Sequence, residues 1–164
     1  MDARTVLRQV AATLAYRAAK VLRDAPADFG SRSFGEATRQ PVKILGHMGD
    51  LMTWGVSMTR GGYDWKPSGG TDWNTEVDRF FTGLAALDAA IADDRFSGSA
   101  EKIIQGPLAD ALTHVGQLAM LRGMAGAPVR PESYARASIT VGRVGLDQEA
   151  PSAEFNGDAS RPRS

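Results

Sequence analysis

The chain has 164 residues, equal numbers of basic and acidic residues (19 each) and no cysteine. Disulfides, thiolate zinc sites and a cysteine nucleophile are therefore excluded. The length fits one self-stabilising domain, the 43% hydrophobic content is that of a folded protein, and zero net charge argues against a nucleic-acid partner.

The first helix is predicted from Ala3 to about Asp24. Leu7, Val10, Leu14, Ala18 and Val21 keep 3/4 spacing on one stripe, basic residues decorate the remainder, and Pro26 ends it. Residues 25–40 read as a loop. Pro41 suits the first turn of a second helix, which carries Ile44, His47, Met48, Leu51, Trp54, Gly55 and Met58 before Gly61-Gly62 stops it. The turn-rich segment 61–70 cannot be a regular element. Thr71 or Asp72 can cap a third helix with the stripe Val77, Phe80, Phe81, Leu84, Leu87 and Ile91. The fourth helix starts at Gly106-Pro107, or near Ser99 with a kink at Pro107, and runs to about Ala125. One further helical turn is expected around Glu132–Ile139. From Leu146 the composition turns to Pro, Ser, Gly, Asp and Arg, and an extended or disordered tail is expected over 146–164.

No segment alternates as a strand would, and no internal repeat is present. The fold class expected is all-α, a four-helix bundle over residues 1–145, with one connection long enough to cross over the bundle. The N-terminus lacks a secretory signal, and no apolar run approaches the ~18 residues of a membrane span, so a cytoplasmic protein with no membrane partner is expected.

The chain contains just two histidines, His47 and His114, both in apolar helical settings. On the fourth helix Asp110 precedes His114 by one turn, and Gln117 shares that flank of the buried face. On the second, Asp50 and Trp54 share a side with His47. If the two helices face each other, His47, Asp110 and His114 converge inside the bundle. Two imidazoles and a carboxylate with open positions can hold a divalent ion such as zinc, nickel or iron(II). A buried histidine is also commonly a packed core residue, and Asp-x-x-x-His commonly a helical ion pair. Asp50 reads equally well as the partner that orients His47 or as a solvated residue. Trp54, Trp65 and Trp73 can wall a pocket or simply pack. Gln117 reads first as a local hydrogen-bonding residue. Arg130, Arg136 and Arg143 could bind an anion but read better as a solvated face. No nucleophilic triad, dinucleotide fingerprint or P-loop is present.

Two stretches carry a resemblance. Ile44–Met58 (ILGHMGDLMTWGVSM) resembles the second helix of the DinB-like (damage-inducible) superfamily, which includes the YfiT-like hydrolases and thiol-dependent transferases. Gly106–Tyr134, with its His114-Val115-Gly116-Gln117, resembles the fourth helix and the segment after it. The resemblance spans about residues 5–145. It implies an up-down-down-up bundle, often homodimeric, with a mononuclear metal near one end. One family ligand is a histidine of the second helix, here His47, and two come from a His-x-x-x-His pair on the fourth. The second of these is His114; at the first, this chain has Asp110, a departure that alters the site.

The resemblance implies a metal-dependent thiol transferase or hydrolase, with a low-molecular-weight thiol as possible cofactor and a small-molecule substrate. Asp50 and Gln117 would orient ligands, and Trp54 and Trp73 would shape an apolar pocket. The rival expectation is a non-catalytic dimeric bundle of stress-associated or binding function with a vestigial metal site.

Overall fold

Helix α1 (Ala3–Leu22) begins where the Asp2 carboxylate accepts the N–H of Thr5 at 3.0 Å, satisfying one of the free donors of the first turn. It ends two residues short of the expected Asp24, whose backbone turns left-handed (φ 55°) ahead of Pro26. These observations come from a computed structural model that describes residues 2–156. A short 3₁₀ turn, Phe29–Ser31, buries Phe29. Helix α2 (Pro41–Met58) has its proline in the first turn, where no N–H is needed. Helix α3 (Trp73–Ala92) is capped by Asp72, which accepts from Thr75 N at 2.8 Å.

The last helical stretch follows the second of the two expected courses. Ser99 caps a short α4 (Ala100–Ile103), a widened π-type turn covers Ile104–Leu108, and α5 (Ala109–Met124) continues from it. Gly106 leaves helical geometry (φ −89°, ψ −105°) just before Pro107, which supplies no N–H to the ladder. The extra residue in that turn rotates the face of α5 by about 100° relative to α4.

Side-chain contacts give the helix directions. Arg8 near the start of α1 holds Asp88 near the end of α3 through two 2.9 Å bonds, so these helices are antiparallel. Gly49 meets Arg79, Gly83 meets Met52 and Gly55 meets Leu87, so α2 and α3 run parallel. His47 meets His114 while Gly55 meets Pro107, so α2 and α5 are antiparallel. Arg122 of α5 donates to the Val21 carbonyl at the end of α1 at 2.7 Å, so α1 and α5 are parallel. The result is an up-down-down-up bundle in which α2 and α1 each pack on α3 and α5. Leu7, Leu14, Leu45, Met48, Phe80, Leu84, Leu87 and Leu118 are fully buried at its centre.

Parallel neighbours require the chain to return about 27 Å, the length of α2, before α3 can start. Residues 59–72 make this return along α2 itself. Asp64 N donates to Ser57 Oγ at 3.1 Å, Trp65 lies against Trp54 and His47, and Ser68 N donates to Asp50 Oδ1 at 3.0 Å. At Gly46 and Gly69 the backbones nearly touch. A Cβ on either would sit 3.0–3.1 Å from the other's Cα, so both positions need glycine.

The helical turn expected around Glu132–Ile139 is absent. Residues 133–137 form a hydrogen-bonded turn, and Glu132 makes an isolated antiparallel bridge with Glu154. No apolar stripe faces α1 there. The segment is held by Tyr134, which packs edge to face on Tyr16, and by polar groups: Tyr16 Oη donates to Glu132 at 2.8 Å, and Lys20 binds Glu132 at 2.8 Å and Glu154 at 2.7 Å. Among the described residues there is no strand beyond that bridge. Past Leu146 the chain stays non-helical, with Gln148 and Ala153 buried, as far as Asn156; the rest of the expected tail lies outside the described residues. Arg130 pairs with Glu154, and Arg143 with Asp147 and Glu149, so neither is an open cation. Among the described residues no helix is long and apolar enough to cross a membrane.

Candidate metal centre

His47 sits in the second turn of α2, on the face turned toward α5. Asp110 and His114 sit one turn apart on α5, just beyond the widened turn. The antiparallel pairing of these helices brings all three side chains to one point. His47 Nε2 lies 3.3 Å from Asp110 Oδ2, and His114 Nε2 lies 3.3 Å from Asp110 Oδ1. The two imidazoles meet edge to face, with centroids 4.9 Å apart and planes at 86°. One nitrogen from each ring and one carboxylate oxygen all fall within 4.8 Å of one another.

Two observations bear on what this arrangement suits. First, 3.3 Å is long for an N–H···O bond, whose usual length is about 2.9–3.0 Å. The two contacts go to different oxygens of Asp110, so the carboxylate spans the two imidazole nitrogens. Second, His114 Nδ1 lies 2.7 Å from Gln117 Oε1. An amide oxygen only accepts, so Nδ1 carries a proton and Nε2 is the nitrogen that faces Asp110. Two imidazole nitrogens and a carboxylate gathered in this way can share a cation between them. Such an orienting bond to the far nitrogen accompanies most ligating histidines. The residues therefore fit a divalent ion with two nitrogens and one oxygen.

The environment is graded. The His114 side chain is 11% exposed, His47 25% and Asp110 45%, so the cluster is walled by α5 and α2 and open on the Asp110 side. Trp65 stands edge-on to His47 at 5.5 Å and extends a chain of aromatics, with Trp54 at 5.8 Å from Trp65 and Tyr63 at 5.0 Å from Trp54. The Trp54 ring also rests on Gly106 of the widened turn, and its indole N–H is buried with no hydrogen-bond partner among the described residues.

The remaining residues singled out from the sequence fall in different places. Gln117 contacts the cluster through His114. Trp54 lies one aromatic ring away from His47. Asp50 shares a cavity of about 190 Å³ with His47, but its carboxylate is committed to Ser68 and to Arg79 Nη1 at 2.9 Å. Trp73 is not brought to the cluster: at the start of α3 it packs on Phe29, with centroids 5.3 Å apart, and over Gly30. Trp65 takes the place beside His47. It lies in a segment without periodicity, and the one signal that could have placed it is topological, since a chain returning along α2 must pass His47.

Comparison with known proteins adds nothing to this geometry: no family model, no curated protein and no solved structure matches the chain.

Proposed function

We propose that the protein is a metal-dependent enzyme, a thiol transferase or hydrolase of the kind found in the DinB-like superfamily, with His47, Asp110 and His114 as the metal ligands. The observation that carries this reading is the convergence of two imidazole nitrogens and a carboxylate oxygen within 4.8 Å. A bound divalent ion would lower the pKa of a thiol or water and so supply a nucleophile at neutral pH.

The chain's own residues then have separate tasks. Gln117 keeps the His114 proton on Nδ1 and fixes the plane of the ring. Asp110 supplies the negative charge of the cluster and stands at its solvent-facing edge. Trp65 covers the outer edge of His47 and limits water on that side. The widened turn at Ile104–Leu108 sets the rotation of α5 that points Asp110 and His114 toward α2.

Elemental analysis of the purified, tag-free protein tests the reading, beside His47→Ala and His114→Ala variants. Near-stoichiometric zinc, nickel or iron in the parent and its loss from both variants is the expected result. A parent that stays empty after incubation with each metal overturns it and leaves a non-catalytic bundle.

A further inference from the structure

His114 and Gln117 also line a second space, which Trp65 does not border. This cleft has a volume of about 390 Å³, within the range of small-ligand sites, and lies between α5, the start of α2 and the loop before it. Its floor is apolar, formed by Ile44, Leu121 and the strongly exposed Met120. Its polar groups are all donors or can act as donors. Arg39 contributes a guanidinium from the loop and Thr38 a hydroxyl. Because the Gln117 oxygen already accepts from His114, the end of the amide left for the cleft is its NH₂. No aspartate or glutamate lines the space.

We infer that this cleft binds the substrate's anionic group, and that the substrate is a small anion with an apolar body, its charged end at Arg39 and Gln117 and its chain over Ile44 and Met120. The donor set selects charge, since a guanidinium and an amide N–H can both bond a carboxylate or phosphate oxygen, while an amine would meet only donors. The floor selects an apolar chain rather than a sugar-like one. The inference rests on the reading of His47, Asp110 and His114 as the reaction centre, because His114 belongs to both.

Calorimetric titration with hexanoate, acetate, inorganic phosphate, hexanol and hexylamine tests it, on protein with and without a metal chelator. Two exposed positions supply the variants: Arg39→Met removes the charge, and Met120→Glu adds a repelling one without touching the core. Hexanoate is expected to bind with or without chelator, at least about tenfold more tightly than to either variant, with hexylamine silent. Tighter binding of phosphate than of hexanoate, with the same dependence on Arg39, would keep the anion site and assign a phosphate head group. Equal binding of hexanol and hexanoate overturns the charge selection. Binding that ignores Arg39 but disappears with chelator overturns the inference while supporting the metal reading, since the carboxylate would then sit on the ion. No hexanoate binding at all overturns the inference alone, because metal content in the same preparation judges the centre independently.

Discussion

His47 and Asp50 lie one turn apart on α2, and each anchors a polar cluster, yet the clusters are built on opposite principles. Around Asp50 every charge is answered. Arg79 gives Nη1 to Asp50 at 2.9 Å, Nε to Glu76 at 2.8 Å and Nη2 to the Gly46 carbonyl, while the backbone N–H groups of Ser68 and Gly70 complete the two carboxylates. Burial disfavours the Arg79 charge, but its bonds to Glu76 and Asp50 outweigh that and hold the guanidinium more firmly protonated than usual. Around His47 two imidazoles share a single carboxylate, through contacts of 3.3 Å, and Asp110 has no Arg or Lys partner among the described residues. A cluster that closes on itself holds the fold together; one left without such a partner is suited to hold something else.

The largest expected effect tests the closed cluster. Arg79→Met would leave the Asp50 and Glu76 carboxylates, 6% and 3% exposed, without a cation. Removing one partner of a buried ion pair costs about 3 kcal/mol or more. For a domain of this size that lowers the melting temperature by roughly 6–12 °C. A denaturation midpoint close to that of the parent would show that the return loop does not depend on this knot.

The next effect tests the open cluster. Gln117→Leu removes the acceptor for His114 Nδ1 from an exposed position, so the protein should fold normally and bind zinc about 10–100-fold more weakly. Competition with a chromophoric chelator measures this directly. Gln117→Glu, which keeps an acceptor, should restore most of the affinity. Unchanged affinity in the leucine variant would mean that Gln117 does not govern the ring.

How much of this is legible in the sequence follows from the kind of force involved. The helices are legible because 3/4 apolar spacing, capping by Asp72 and Ser99, and Pro41 at the first turn are local signals. The meeting of His47 with Asp110 and His114 follows once both helices present those residues on their buried faces. Asp50 is not legible, because its partners Ser68 and Arg79 lie 18 and 29 residues away, on a loop and on another helix. The Trp65 position depends on the parallel arrangement of α2 and α3, which no periodicity encodes. The course of residues 128–156 depends on Tyr16 and Lys20, which lie off the apolar stripe of α1, and a pattern of apolar spacing passes over them.

That strap offers a pH test of the closed-cluster principle. Burial pushes the Glu132 carboxyl up, but the bonds from Lys20 and Tyr16 more than offset it, so its native pKa lies below the ordinary value. A depressed native pKa means stability that is present above the ordinary carboxyl range and lost as pH falls through the native value. Unfolding free energy should therefore drop below about pH 4, with hydrogen exchange rising first in residues 128–156. Glu132→Gln should cost about 1 kcal/mol at pH 7 and flatten this acid limb. An unchanged limb would assign the acid sensitivity to other carboxylates.

The smallest expected effect is the most discriminating between the two kinds of cluster. Asp110 is 45% exposed, and its two contacts, at 3.3 Å each, are long. Asp110→Ala in metal-free protein should shift stability by no more than about 0.5 kcal/mol, the range of an ordinary surface change. The same substitution should abolish the stabilisation that added metal gives the parent, about 2.7 kcal/mol at a free concentration one hundred times the dissociation constant. Thermal melts of both proteins with and without zinc separate the two terms. A large loss without metal would make the His47–Asp110–His114 group a structural network like that of Arg79. No loss without metal, together with no response to it, marks a residue whose only work is done when the ion is bound.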